Sequence, residues 1–209
     1  MELKGIKNII FDLGGVLLNL DYQLTKDEFV RLGVKDYDNH FTQANQSALF
    51  DAFETGKMAE QEFHEELRSL TGINFTTTEI LTAWNAMLLD FPVKRKQLLL
   101  NLKEDFKTSL LSNTNESHIR AFTKTIQNDI GLDELDPLFH SVYYSNQIGL
   151  RKPTIEAFKY VLEHNSYAPE ETLFLDDSAQ HLEGAKKCGI NTVHINGVTV
   201  EELFADFLT

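Results

Sequence analysis

Five short apolar runs, each followed directly by a polar residue, constrain the fold of this chain most strongly. They occupy residues 9–11, 108–111, 142–144, 172–175 and 192–195. Continuous apolar runs of this length are typical of strands that are buried on both faces. Helical patterns separate the later runs, at residues 115–130, 154–164 and 179–188, with Pro153 predicted as the first residue of the second helix. This alternation predicts an α/β fold with a doubly wound, Rossmann-like parallel sheet.

Residues 21–90 have a different pattern, in which helical spacing prevails and no run resembles a strand. Two capping boxes, Thr25-x-x-Glu28 and Thr76-x-x-Glu79, predict two helix starts. We therefore expect a small all-helical insertion after the first strand. The predicted division is a catalytic core formed by residues 1–20 and 91–209, and a helical insertion formed by residues 21–90.

Composition restricts the classes of partner. The 209 residues carry a formal net charge of −13, which argues against nucleic-acid binding because that depends on lysine and arginine. No apolar stretch is long enough to span a bilayer, residues 1–4 lack a secretory signal pattern, and Cys188 is the only cysteine. These features predict a cytoplasmic protein with no membrane partner, and they leave open whether it is a monomer or a homodimer. A small phosphorylated substrate remains compatible, because a metal ion and a few local cations can override the global charge.

Polar side chains that could take part in catalysis or ligand binding follow three of the runs. Asp12, Ser112 and the pair Asp176-Asp177 each come directly after a predicted buried strand, and Lys152 precedes a helix near the same edge. The carboxyl ends of parallel strands share one edge of the sheet, where open α/β sheets bind ligands. Carboxylates gathered there would repel one another unless a divalent cation joined them. Mg²⁺ fits best, because the candidate ligands are hard oxygen atoms and no histidine or cysteine cluster accompanies them.

Four motifs in order resemble the haloacid dehalogenase-like superfamily. They are FDLGGVL at residues 11–17, LSNTN at 111–115, GLRKP at 149–153 and FLDDS at 174–178, and together they span almost the whole chain. The helical insertion resembles the small cap of that family. Within the superfamily the chain looks closest to the bacterial phosphatases that act on α-D-glucose 1-phosphate and similar small phosphates. The resemblance implies an Mg²⁺-dependent phosphatase.

The resemblance also implies a nucleophile and a metal site. Asp12 would attack phosphorus and form an aspartyl-phosphate, which divides one difficult step into two easier ones. The other oxygen of Asp12 and the backbone carbonyl of Gly14 would bind Mg²⁺. Asp177 would complete the metal shell directly, and Asp176 through water.

A phosphate-binding set follows from the same resemblance. The hydroxyl of Ser112 and the amide of Asn113 would hold phosphoryl oxygens, while Lys152 would neutralise charge on the phosphate and on the nucleophile. Gly14 and Gly15 would let the backbone approach the phosphate closely, because they have no side chain.

Gly14 departs from the family pattern. Phosphatases of the superfamily usually place there a second Asp that protonates the leaving group and later activates water. Its absence predicts a preference for substrates with better leaving groups, such as sugar 1-phosphates. Two alternatives follow: a metal-independent 2-haloacid dehalogenase, which the pair Asp176-Asp177 argues against, and a catalytically weak regulatory or binding protein on the same fold.

Several other residues have simpler interpretations. Arg151 is predicted to be a solvated surface charge, and His118 and His181 are predicted to be structural, as lone histidines usually are. Cys188 is predicted to be a buried small hydrophobe. The core of the insertion is predicted to contain three aromatic residues, Phe41, Phe53 and Trp84. Residues 53–56 are a weaker candidate for reaching from the insertion toward the site.

Overall fold

A five-stranded parallel sheet forms the centre of the computed structural model, which describes residues 3–35, 37–38 and 48–208. The strand order is β3-β2-β1-β4-β5. Every pair of neighbouring strands is parallel, which confirms the predicted fold class. The strands are β1 (Asn8–Phe11), β2 (Lys107–Ser112), β3 (Ser141–Tyr144), β4 (Thr172–Asp176) and β5 (Asn191–His194).

Burial differs between the central and outer strands. All four residues of β1 and all five of β4 are buried, as continuous apolar runs predict. The prediction was wrong for β5, where Asn191 and His194 are exposed, and for β3, which is mostly half-buried. These two strands form the edges of the sheet, so each has a neighbour on one side only.

Four helices of the described chain lie within residues 21–90, which follow β1 in the sequence. They are α1 (Tyr22–Arg31), α2 (Ala48–Glu54), α3 (Glu60–Thr71) and α4 (Thr77–Asn85). Their aromatic side chains form a hydrophobic cluster separate from those around the sheet, and Phe53 and Trp84 are buried in it. Phe41, predicted to lie in this core, falls outside the described residues.

One of the two predicted capping boxes is present. Thr76 caps α4, and its Oγ1 and the Glu79 carboxylate accept from each other's backbone N–H. The other prediction was wrong, because Asp21 caps α1 by accepting from the backbone N–H of Gln23. Thr25 is instead buried inside α1, where its hydroxyl donates to the carbonyl of Trp84 and so joins α1 to α4.

The remaining helices cover both faces of the sheet. Side chains alternate along β1, so that Ile9 and Phe11 enter one hydrophobic cluster and Ile10 enters the other. Pro153 does not begin a helix, because Thr154 is the N-cap of the helix that follows it. The helices are α5 (Val93–Asp105), α6 (Glu116–Ile130), α7 (Ser145–Ile148), α8 (Ile155–Asn165), α9 (Ala179–Lys186) and α10 (Val200–Leu203).

Cys188 is half-buried and packs against the cluster that contains Ile10, in keeping with its expected role as a small hydrophobe.

In the part of the chain that the structure describes, every helix is too short or too polar to cross a bilayer.

Candidate active site

Asp12 lies directly after β1, at the carboxyl edge of the sheet. Its backbone N–H donates to the carbonyl of Leu175 at 2.9 Å, so the parallel ladder continues as far as this residue. The loop that follows turns tightly, and the carbonyl of Leu13 accepts the N–H groups of Leu17 and Leu18, each at 2.8 Å. Buried Arg95 donates to the carbonyl of Leu17 at 2.9 Å and holds this loop against α5. The main chain therefore fixes the position of the carboxylate.

Lys152 is fully buried between two carboxylates. Its Nζ lies 2.7 Å from Asp12 Oδ1 and 2.7 Å from Asp176 Oδ2. The same nitrogen lies 5.2 Å from the centroid of the Phe174 ring, which adds a cation–π contact. Asn113 holds the backbone of this lysine, since its Nδ2 donates to the Lys152 carbonyl at 2.8 Å and its Oδ1 accepts from the Lys152 N–H at 2.9 Å. Three predicted motifs thus meet at one ammonium group.

Burial and charge separate the acidities of the two carboxylates. Burial raises the pKa of Asp12 to about 7, and Asp176 adds to the rise although Lys152 opposes it. Burial also acts on Asp176, but Lys152 and His181 outweigh it and hold the pKa of Asp176 at about 2. Burial lowers the pKa of Lys152, yet its two carboxylate partners raise it overall. Asp176 is therefore an anion that fixes Lys152, and a further cation beside Asp12 would favour the ionised form of that carboxyl group.

The donor set near Asp12 suits a hard divalent cation. Asp177 is half-buried, and burial together with Asp176 raises its pKa. Gly15 has φ of +73°, and a Cβ there would overlap the Asp177 carboxylate, so this acid packs directly on the loop. Two crowded carboxylates with raised pKa values gain from a dication, because it favours their ionised forms. The carboxylate oxygens of Asp12 and Asp177 and the backbone carbonyl of Gly14, all predicted ligands, are hard oxygen atoms of the kind that Mg²⁺ prefers.

His181, predicted to be structural, lies beside the candidate site. Its Nδ1 lies 3.0 Å from both oxygens of Asp176, and Asp12, Asp176 and His181 each bring a potential ligand atom within 4.8 Å of the others. His181 lies on α9 only five residues after Asp176, and this short spacing in the sequence could have predicted its place near the site. Since both Asp176 oxygens already contact Lys152 or His181, this acid holds other side chains in place.

A cavity of about 630 Å³ opens between the sheet edge and the helices of residues 22–85. The sheet side supplies Asp12, Gly14, Ser112, Asn113 and Asp177. The helical side supplies Tyr22, Phe50, Glu54 and Trp84. Most of the residues predicted to bind phosphate or metal therefore line one cavity, with buried Lys152 beside it.

Arg151 was predicted to be a surface charge, and this was wrong. The residue is 7% exposed and forms ion pairs with Asp51 and Glu54 of α2, the latter at 2.9 Å. The motif around residue 151 contains no sign of this role, because it depends on where a helix distant in sequence packs. Arg151 thus joins the sheet domain to α2 next to the cavity.

His118 and Trp84 form a stacked pair in the cavity wall. Their ring centroids are 5.2 Å apart, and His118 Nε2 lies 3.2 Å from the Trp84 carbonyl. His118 Nδ1 lies 3.2 Å from Asn115 Nδ2, a donor, so the ring is neutral with its proton on Nε2. Burial lowers the pKa of His118 to about 4, although the contact with Trp84 opposes this. Trp84 belongs both to the core of the insertion, as predicted, and to the cavity wall.

The chain is similar to several known phosphatases along almost its whole length. It is 30% identical over 187 residues to D-ribitol-5-phosphate phosphatase of Bacteroides thetaiotaomicron, covering 90% of both proteins. It is 27% identical over 206 residues to glyceraldehyde 3-phosphate phosphatase of Methanocaldococcus jannaschii, covering 91% of this chain and 85% of that protein.

Solved structures and a family match agree with these relatives. A HAD family enzyme of Bacteroides thetaiotaomicron, an Asp12Ala mutant in complex with magnesium and inorganic phosphate, matches with a TM-score of 0.88 and 32% identity, covering 95% of this chain and 98% of that one. An L-2-haloacid dehalogenase from Xanthobacter autotrophicus shares the fold, with a TM-score of 0.61, 21% identity, and coverage of 95% and 80%. Residues 6–189 match the family described as haloacid dehalogenase-like hydrolase. The chain therefore belongs to the haloacid dehalogenase-like hydrolase family.

Proposed function

We propose that this protein is a Mg²⁺-dependent phosphatase that hydrolyses a small phosphorylated metabolite through an aspartyl-phosphate. The observation that carries the proposal is the contact of buried Lys152 with both Asp12, which lines the cavity, and Asp176. Relatives named as phosphatases of ribitol 5-phosphate and glyceraldehyde 3-phosphate support the same reaction class.

The residues of the chain divide the proposed reaction between them. A carboxylate oxygen of Asp12 attacks phosphorus, while Lys152 orients the nucleophile and offsets the negative charge of the phosphoryl group. Ser112 and the backbone amide of Asn113 hold phosphoryl oxygens. When bound to Asp12, Asp177 and the carbonyl of Gly14, Mg²⁺ supplies positive charge to the nucleophile and the phosphoryl oxygens. Asp176 positions Lys152 and would add negative charge beside the metal site.

The insertion and the cavity restrict the substrate. We include in the proposal that residues 21–90 act as a cap over a core formed by residues 1–20 and 91–209, because cavity walls come from both parts. A volume of about 630 Å³ and polar groups on both sides suit a sugar or polyol phosphate. Gly14 taken alone predicts a preference for sugar 1-phosphates, which would disappear if another residue supplied the acid. The cytoplasmic location and the monomeric or homodimeric state stay predictions.

The alternatives have less support. A metal-independent dehalogenase has no use for a second crowded carboxylate, and Asp177 lies against the loop where a metal would neutralise it. A catalytically weak binding protein would not need a buried lysine that contacts the nucleophile.

A panel of phosphate esters tests the proposal. The panel contains ribitol 5-phosphate, glyceraldehyde 3-phosphate, glucose 1-phosphate, glucose 6-phosphate and p-nitrophenyl phosphate, each assayed with Mg²⁺ and with EDTA. We expect hydrolysis that requires Mg²⁺ and is abolished in Asp12→Asn, while the exposed control Asp105→Asn retains it. Hydrolysis that survives Asp12→Asn or EDTA would contradict the mechanism. Release of chloride from a 2-chloroacid, or no reaction with any ester, would favour one of the alternatives.

A further inference from the structure

The loop after β1 has no side chain at residue 14 that could give a proton to the leaving group. Gly14 lines the cavity but has no side chain, so the position that carries an acid in most phosphatases of the family cannot supply a proton here. An alkoxide is a poor leaving group, and protonation by a positioned acid typically accelerates such steps by ~10²–10⁴-fold. A phosphatase that acts on ordinary alcohol esters therefore needs an acid from elsewhere in the cavity.

Glu54 is a carboxyl group on the opposite wall of that cavity. It is the last residue of α2, and it lines the same space as Asp12 and Gly14. Its side chain is 20% exposed, and its Oε2 is buried without a hydrogen bond from any residue that the structure describes. The Arg151 guanidinium lies beside this oxygen, but buried carboxylate oxygens usually also accept a hydrogen bond. The carboxyl group can therefore hydrogen-bond to a molecule that enters the cavity.

The position of Glu54 is fixed from two sides. Arg151 Nη2 forms an ion pair with Glu54 Oε2 at 2.9 Å, and the other end of the same guanidinium contacts Asp51 on the preceding turn of α2. Just beyond the helix, Gly56 packs against the backbone carbonyl of Asn146 so closely that a Cβ would overlap it. These contacts attach the end of α2 to the core at the cavity wall.

We propose that Glu54 is the general acid and base of this enzyme, in place of the carboxyl group absent at Gly14. This inference rests on the proposed phosphatase function. Burial supports it, because it raises the pKa of Glu54 to about 7 although Lys152 opposes the rise, and a raised pKa favours the protonated form that a general acid needs. Arg151 acts as a positioning residue that orients the carboxyl group.

Glu54 gives a proton in the first of two steps and takes one back in the second. In the first step Asp12 forms a bond to phosphorus, the bond from phosphorus to the leaving oxygen breaks, and Glu54 gives its proton to that oxygen. An alcohol departs, leaving the aspartyl-phosphate and an ionised Glu54. In the second step water forms a bond to phosphorus and gives a proton to Glu54, while the bond to Asp12 breaks. Phosphate leaves, and both carboxyl groups return to their initial states.

The test compares Glu54→Gln with wild type on two kinds of ester in rapid-quench experiments with Mg²⁺. The substrates are p-nitrophenyl phosphate, whose phenolate departs without a proton, and the alkyl phosphate turned over fastest in the panel above. Asp51→Asn is the matched control, since it removes the other acidic partner of Arg151 and leaves Glu54 unchanged. Thermal unfolding of each variant verifies that it is folded, and Glu54→Asp keeps a carboxyl group on a shorter side chain.

We expect Glu54→Gln to transfer phosphate from p-nitrophenyl phosphate at a rate near that of wild type. Because water is no longer activated, nitrophenolate should appear as a burst of one equivalent per active site, with phosphoenzyme accumulating. Transfer from the alkyl ester should fall by ~10²–10⁴-fold. Glu54→Asp should regain part of the alkyl activity, and Asp51→Asn should show neither the burst nor the selective loss.

Three outcomes would overturn the inference while leaving the phosphatase function intact. The first is wild-type turnover of the alkyl ester by Glu54→Gln. The second is an equal loss of phosphoryl transfer from both esters. The third is a higher KM for the alkyl ester with unchanged kcat, which would make Glu54 a residue that only binds the substrate. Failure of the phosphatase function itself would be evident as inactivity of the wild-type protein.

Discussion

Replacing Gly15 by alanine tests whether Asp177 belongs to the metal site. Two effects follow from the structure. Gly15 has φ of +73°, and a residue with a Cβ pays ~1–2 kcal/mol in this left-handed region. In addition, an ideal Cβ would lie 2.7 Å from Asp177 Cγ, whereas carbon atoms pack favourably at about 3.5–4.0 Å. The Asp177 carboxylate must therefore move by roughly 1 Å, a displacement that can cost ~10²-fold in rate when it affects a catalytic group.

Gly131 provides the matched control. It has φ of +69° at the end of α6, and a Cβ there would meet no atom within 4 Å among those described. Gly131→Ala should therefore lose the same ~1–2 kcal/mol of unfolding free energy without affecting the site. Urea unfolding measures this common cost, and titration of phosphatase activity with Mg²⁺ measures the effect specific to Gly15.

We expect Gly15→Ala to require ~10–100-fold more Mg²⁺ for half-maximal activity than Gly131→Ala, the range seen when residues that orient metal ligands are changed. The maximal rate should also fall. Identical Mg²⁺ dependence of the two variants, at equal loss of stability, would refute the reasoning that Asp177 holds the metal and that Gly15 makes room for it.

Two further predictions concern the stability of the helical elements. Thr76→Ala removes the N-cap hydroxyl that accepts from the Glu79 N–H at 3.2 Å, and should cost about 1 kcal/mol in urea unfolding, whereas Thr78→Ala in the same helical turn should be nearly neutral. His118 has a pKa of about 4 in the folded protein against 6.5 in the reference state, so the unfolded chain binds more protons between these values. Its contribution should be complete above pH 6.5 and be lost as the pH falls toward 4, by roughly 2–3 kcal/mol. His118→Gln should therefore show a shallower loss of unfolding free energy over this window, and an unchanged slope would contradict the assignment.

The sheet and the main motifs could be predicted because each depends on local sequence. A strand buried on both faces requires a continuous apolar run, as in β1 and β4, and the residue after such a strand must lie at the carboxyl edge. This rule alone predicts that Asp12 and the pair Asp176-Asp177 lie at the carboxyl edge. The edge strand β5 was less predictable, because exposure of Asn191 and His194 depends on strand order rather than on local pattern.

The parts that could not be predicted depend on how distant segments pack. Arg151 and Lys152 are adjacent cations in one motif, yet one contacts α2 and the other contacts Asp12. No local pattern distinguishes them, since the difference arises from the packing of α2 against the core. Similarly, Thr25 satisfies the spacing of a capping box with Glu28, but the pairing of α1 with α4 buries its hydroxyl. Intrinsic preferences were overridden wherever tertiary contacts supplied a better partner.

The source of the proton donor also changes what Gly14 implies. A carboxyl group at residue 14 would belong to the sheet domain, whereas Glu54 belongs to α2, which Arg151 joins to that domain beside the cavity. With Glu54 in place, the enzyme can protonate an ordinary alkoxide, so the absence of an acid at Gly14 no longer requires a good leaving group. The preference for sugar 1-phosphates should then be a property of Glu54→Gln rather than of the wild type. Comparable turnover of glucose 1-phosphate and glucose 6-phosphate by the wild type, with selective loss of the 6-phosphate in the variant, would establish that the insertion supplies the acid.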